Sequence, residues 1–94
     1  MQKINGVPVI YTFTRDQKTN QLNGCIVAAR NDDETIRFNV GWSRVGKKDR
    51  FDKEMALKIA FGRSQCKREI HPPHPDVKDE YINMFPRAQR YFKP

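Results

Sequence analysis

The stretch TIRFNVGWS, residues 35–43, constrains this chain more than any other. Ile36, Phe38, Val40 and Trp42 fall on one side of an extended backbone, and Arg37, Asn39 and Gly41 on the other. Strict alternation of this kind belongs to a half-buried β-strand, because successive side chains of a strand point to opposite faces. Two earlier segments read the same way. PVIYTFTR, from Pro8 to Arg15, alternates Val9, Tyr11 and Phe13 against Ile10, Thr12 and Thr14, and LNGCIVAAR follows with a softer pattern. The connections, Asp16 to Asn20 and the acidic NDDE, are too short for parallel crossovers, so the three strands are expected to form an antiparallel meander in the order 1-2-3. The sheet is expected to begin at Pro8, with no strand assigned before it.

A sheet needs cover, and RFDKEMALKIAF offers it. Asp49 is a suitable N-cap, strong helix formers follow, and Gly62 stands where a helix would stop, predicting a helix over 50–61. At about 100° per residue Phe51, Met55 and Ile59 share a stripe flanked by Ala56 and Ala60, expected to pack on the Ile36–Trp42 row. Leu57 and Phe61 then project from the opposite side. They are expected either under the C-terminal segment or exposed as an apolar partner contact.

HPPHP, residues 71–75, is excluded from regular helix and central strand by its prolines and reads as a stiff connector. Asp76 can cap a C-terminal helical segment over 76–92, interrupted or restarted at Pro86, whose Tyr81, Met84, Phe85, Ala88, Tyr91 and Phe92 are expected to dock on the first helix. The fold class is therefore α+β: one domain of 94 residues with a three-stranded antiparallel sheet (8–43), a helix (50–61), a connector (70–75) and a C-terminal helix.

Composition bears on partners. The net charge of +7 and a pI near 9.7 favour polyanionic surfaces such as nucleic acid or an acidic protein face. Residues 44–69 carry nine basic and four acidic groups, and so hold most of the excess. Arg44, Lys47, Lys48, Arg50 and Lys53 crowd a glycine-bearing loop and a helix start, where free backbone N–H groups and the positive end of the helix dipole also favour phosphate. Arg37 is a possible contributor from an open sheet face. Asp49 and Asp52 in the same turn oppose this reading, which makes a solvated rim the plain alternative.

Three strands followed by a helix that opens on Lys47 and Lys48 resemble part of a double-stranded RNA-binding domain, in which such a lysine pair meets phosphates across a groove. That family's first helix has no counterpart here. Its sheet also resembles phage integrase DNA-binding domains, which would assign reading of the groove to Arg37, Asn39, Thr12 and Thr14. GWSRVGKKDRFDKEMALKIAFGR and the ending RAQRYFKP are similar to small basic accessory proteins of large bacteriophages, of the host-takeover or counter-defence type. The resemblance implies action by binding inside a bacterial host and assigns no catalytic residue.

Other chemistry is thinly provided. Cys66, His71 and His74 give a C-x4-H-x2-H spacing, but a structural zinc site needs a fourth ligand, and the prolines hold the histidines in an extended chain; the expectation is a connector without metal. Asp16, Asp32 and Asp49 lie at element ends without the frame of a metal-dependent nuclease and read as turn formers and a cap. Cys25 and Cys66 lack the paired spacing of a disulfide framework. No stretch has the length of a signal peptide or a membrane span, so a cytoplasmic location, the host cytoplasm for a phage protein, and no membrane partner are expected.

The expected function is therefore a non-enzymatic binding protein without cofactor, acting on nucleic acid or on a host complex that handles it. The first alternative is a protein-directed inhibitor that makes no nucleic-acid contact, and the second a small metal-dependent nuclease. Unpaired sheet edges allow an edge-strand dimer.

Overall fold

A computed structural model of the chain describes residues 2–31, 38–46, 50–65 and 72–92. Four strands run β1 (Gln2–Ile4), β2 (Val7–Arg15), β3 (Leu22–Arg30) and β4 (Phe38–Arg44), followed by helix α1 (Lys53–Ser64), a 3-10 turn (Pro75–Val77) and helix α2 (Lys78–Tyr91). All neighbours in the sheet are antiparallel, in the order β1-β2-β3-β4. The α+β class and the meander are as expected; the strand count is four, not three.

The additional strand comes from Asn5 and Gly6. Both have positive φ, 51° and 80°, and Ile4 pairs directly with Val7, leaving a two-residue hairpin loop of the Asn-Gly kind whose twist matches that of its strands. Residues 2–4 are thus paired chain rather than a tail. Pro8 sits opposite Lys3, one step beyond the first β2–β3 pair at Val9 and Ala29. Its missing N–H therefore interrupts no ladder with β3.

The β2–β3 hairpin closes through Asp16. One oxygen, Oδ1, accepts from the backbone N–H groups of Lys18 at 2.7 Å and Thr19 at 3.2 Å. These bonds, the Lys18 one foremost, hold the Asp16 carboxyl below its usual value.

Both faces of the sheet are covered, which corrects the expectation of one open face. On the first face Val9, Cys25, Val27 and Ala29 pack with Ala56, Ala60 and Phe61 of α1. On the second, Ile10, Ile26 and Ala28 pack with Val77, Met84, Ala88 and Phe92 of the C-terminal segment, and Phe38, Val40 and Trp42 lean on the same cluster. The strongly alternating row thus meets α2, not α1. Of the residues expected to read a groove from an open face, Thr14 is buried, Thr12 and Asn39 are half-buried, and Arg37 lies outside the described residues.

The orientation of α1 also differs from the periodicity reading. Met55 is 56% exposed and Ile59 41%, whereas Ala56, Ala60, Phe61 and Ser64 are buried and Leu57 is half-buried. The reason lies in β4, which presents Gly41 and Ser43 to this helix. A Cβ on Gly41 would run into Ala60 O and Ser64 N, so the helix lies almost on the strand backbone. Only a stripe of small residues permits that approach, and Ala56, Ala60 and Ser64, spaced by four, supply it. The buried Ser43 hydroxyl fixes the contact by donating to Ala56 O at 2.7 Å. Larger Met55 and Ile59 are displaced outward.

Helix boundaries shift with the cap. The cap is Asp52, whose Oδ1 accepts from Met55 N at 3.2 Å; helix α1 then continues through Gly62 to Ser64. Asp49, the expected cap, lies outside the described residues. Helix α2 runs unbroken through Pro86, where the bond to Ile82 O is necessarily lost. It docks on the sheet rather than on α1.

Candidate partner-binding face

The end of β4 and the outer side of α1 lie side by side. A groove of about 280 Å³ opens there, lined among others by Arg44, Gly46, Arg50, Phe51, Met55 and Ile59. A second groove of about 340 Å³ lies on the other side of Met55, against Ile4, Leu57 and Lys58. Met55 therefore stands as a ridge between two hollows, with Ile59 one turn further on. Met55 and Ile59, exposed at helical spacing, form an aliphatic strip along the outer side of α1.

The expected basic site divides. Arg44 donates from Nε to Asp76 Oδ2 at 2.8 Å, with the two side chains 21% and 41% exposed. Its charge is largely answered within the chain. Lys53 places Nζ 5.5 Å from the centroid of the Phe13 ring, a cation–π contact that lays its stem along the first core cluster. Arg50 is exposed on the groove wall. Lys47, Lys48 and Arg37 lie outside the described residues.

Arg63 lies in the last turn of α1 and wraps the edge of the sheet. Its guanidinium lies 4.8 Å from the Trp42 ring centroid, and Nη1 donates to Trp42 O at 3.1 Å. It covers part of the outer edge of β4, the protection that an exposed strand needs against unwanted pairing. Trp42 is half-buried on the α2 side, in keeping with the inward row.

The apolar pair expected at Leu57 and Phe61 is replaced by Met55 and Ile59. Phe61 is only 8% exposed and belongs to the core, covered by the sheet and not by the C-terminal segment. Of the metal candidates, Cys66 and His71 lie outside the described residues. His74 caps the 3-10 turn, its Nδ1 accepting from Asp76 N at 3.1 Å. Among the described residues no group of three or more His, Cys, Asp or Glu could hold a metal ion, and no helix is long and apolar enough to cross a membrane. No family model, curated protein or solved structure matches the chain.

Proposed function

We propose that this chain is a non-enzymatic binding protein that engages the acidic rim of a protein partner through the outer side of α1 and the corner leading into it. The observation that carries the reading is the exposure of Met55 and Ile59 beside Arg50 on a groove wall. An aliphatic ridge with a cation at its margin suits the apolar centre and acidic border of a protein interface better than it suits a phosphate backbone, which offers nothing for the ridge to bury. The resemblance of the 41–63 stretch to phage accessory proteins supports a bacterial host complex, one that handles nucleic acid or serves in defence, as the partner.

Direct nucleic-acid contact is the second reading, favoured by the net charge of +7 and the exposed Arg50. The two separate in one experiment. Nuclease-treated bacterial lysate is passed over the immobilised chain while labelled duplex DNA and RNA are titrated against it across a salt series. The proposal expects a retained protein and weak duplex binding that vanishes by physiological salt. Tight, salt-graded duplex binding with no retained protein supports the second reading instead.

A further inference from the structure

The chain contains the step Asn-Gly twice, at Asn5-Gly6 and at Asn23-Gly24, and the fold treats the two in opposite ways. In such a step the backbone nitrogen of the glycine, unshielded because its residue has no side chain, can attack Cγ of the asparagine. A C–N bond forms, and the side-chain nitrogen leaves as ammonia, taking up the proton of the glycine amide. The product is a five-membered succinimide. Water then opens the ring at one carbonyl or the other, giving aspartate or isoaspartate. No catalyst is needed, but the peptide group between the two residues must be free to turn toward the side chain.

At Asn23-Gly24 that peptide group is held. Asn23 is only 9% exposed, its Oδ1 accepts the hydroxyl of Thr14, and its backbone carbonyl accepts from Val45 N at 2.8 Å. Gly24 is paired on both sides, with Thr14 of β2 and Arg44 of β4. Asn5-Gly6 is free by every one of these measures. Both residues are exposed in the two-residue loop between β1 and β2, and neither Asn5 O nor Gly6 N hydrogen-bonds to another described residue. A Cβ on Gly6 would meet nothing within 4 Å, so open space surrounds the attacking nitrogen. The hairpin itself is lightly held, since β1 pairs on one side only and through three residues.

We propose that Asn5 is a site of spontaneous conversion to aspartate and isoaspartate in the folded protein, and that the isoaspartate form releases β1 from the sheet. Isoaspartate carries the main chain through the former side chain and so lengthens it by one carbon. A loop of two residues that both hold positive φ has no slack for that carbon, and the Ile4–Val7 pair that closes the loop is lost. Ile4 packs against the first core cluster and lines the groove beside Met55, so the release of β1 also reaches the outer side of α1. The modification site does not depend on the function proposed for that face.

The test incubates the full chain in mildly alkaline buffer, folded and urea-unfolded, and follows both steps by peptide mapping with mass spectrometry, isoaspartate being counted by enzymatic methylation. In the folded chain Asn5 should convert within about tenfold of its unfolded rate, because no bond of the sheet core has to break first, whereas Asn23 should be slowed at least about a thousandfold, as for a site exposed only by global opening. The isoaspartate fraction, separated by ion exchange, should lose the nuclear Overhauser contacts between β1 and β2. Asn5→Gly, whose Gly-Gly loop suits the same turn, should keep those contacts through the same incubation. The proposal is overturned if Asn5 stays intact in the folded chain while the unfolded chain converts, if folded Asn23 converts as fast as Asn5, if the isoaspartate form keeps the β1–β2 contacts, or if Asn5→Gly loses them too.

Discussion

Arg44 Nε and Asp76 Oδ2, thirty-two residues apart in sequence, meet at 2.8 Å and tie the last residue of β4 to the turn that starts the C-terminal segment. The two form a partly exposed ion pair. Because both side chains keep contact with water, its coupling should be small: a double-mutant cycle with Arg44→Ala and Asp76→Ala, read by urea denaturation, is expected to give about 0.5–1 kcal/mol, falling as salt is raised.

The approach of α1 to β4 sets a much steeper penalty. Gly41→Ala puts a methyl against the backbone of Ala60 and Ser64, atoms that no side-chain rotation can move. We expect a loss of about 3 kcal/mol in urea unfolding, with the helix content of the folded state retained.

The orientation of α1 is tested by contrast. Phe61→Ala should cost about 3–4 kcal/mol, as expected for a buried aromatic, and Phe61→Asp should prevent folding. Met55→Asp and Ile59→Asp, at exposed positions, should change stability by no more than about 0.5 kcal/mol. A thermal melt of each variant reads the difference.

Cys25 lies at the centre of the sheet, fully buried, and burial pushes its thiol up to about 12 from an ordinary 9.0. The folded state therefore keeps a proton that the unfolded chain has released above pH 9. The stability this contributes is complete below pH 9 and declines between pH 9 and 12, by up to about 1.4 kcal/mol per pH unit. At pH 8 the folded protein should resist alkylation at Cys25 by iodoacetamide and react promptly once unfolded in urea.

Much of the sheet was legible because period-two alternation is a local property: Val9 to Phe13 and Phe38 to Trp42 identify their own strands. Strand β1 carried an equally local signal in Asn5-Gly6, a pair suited to a two-residue hairpin loop. The face of α1 was not local information. Apolar residues occur all round that helix, and the choice between the Met55–Ile59 stripe and the Ala56–Ala60 stripe was decided by Gly41 and Ser43 on another element. The candidate site shows the same divide. That residues 44–53 are rich in basic groups is plain from their composition, but the pairing of Arg44 with Asp76 and the use of Lys53 on Phe13 depend on tertiary neighbours. Asp52 rather than Asp49 as cap reflects two equivalent residues three positions apart, either of which fits the local rule.

The central claim, that the outer strip of α1 grips a protein, is tested most directly by the affinity of the lysate-captured partner for wild-type chain and for the double variant Met55→Asp with Ile59→Asp. The account predicts a loss of at least about tenfold in affinity with an unchanged thermal midpoint. Undiminished binding by the folded double variant would contradict it.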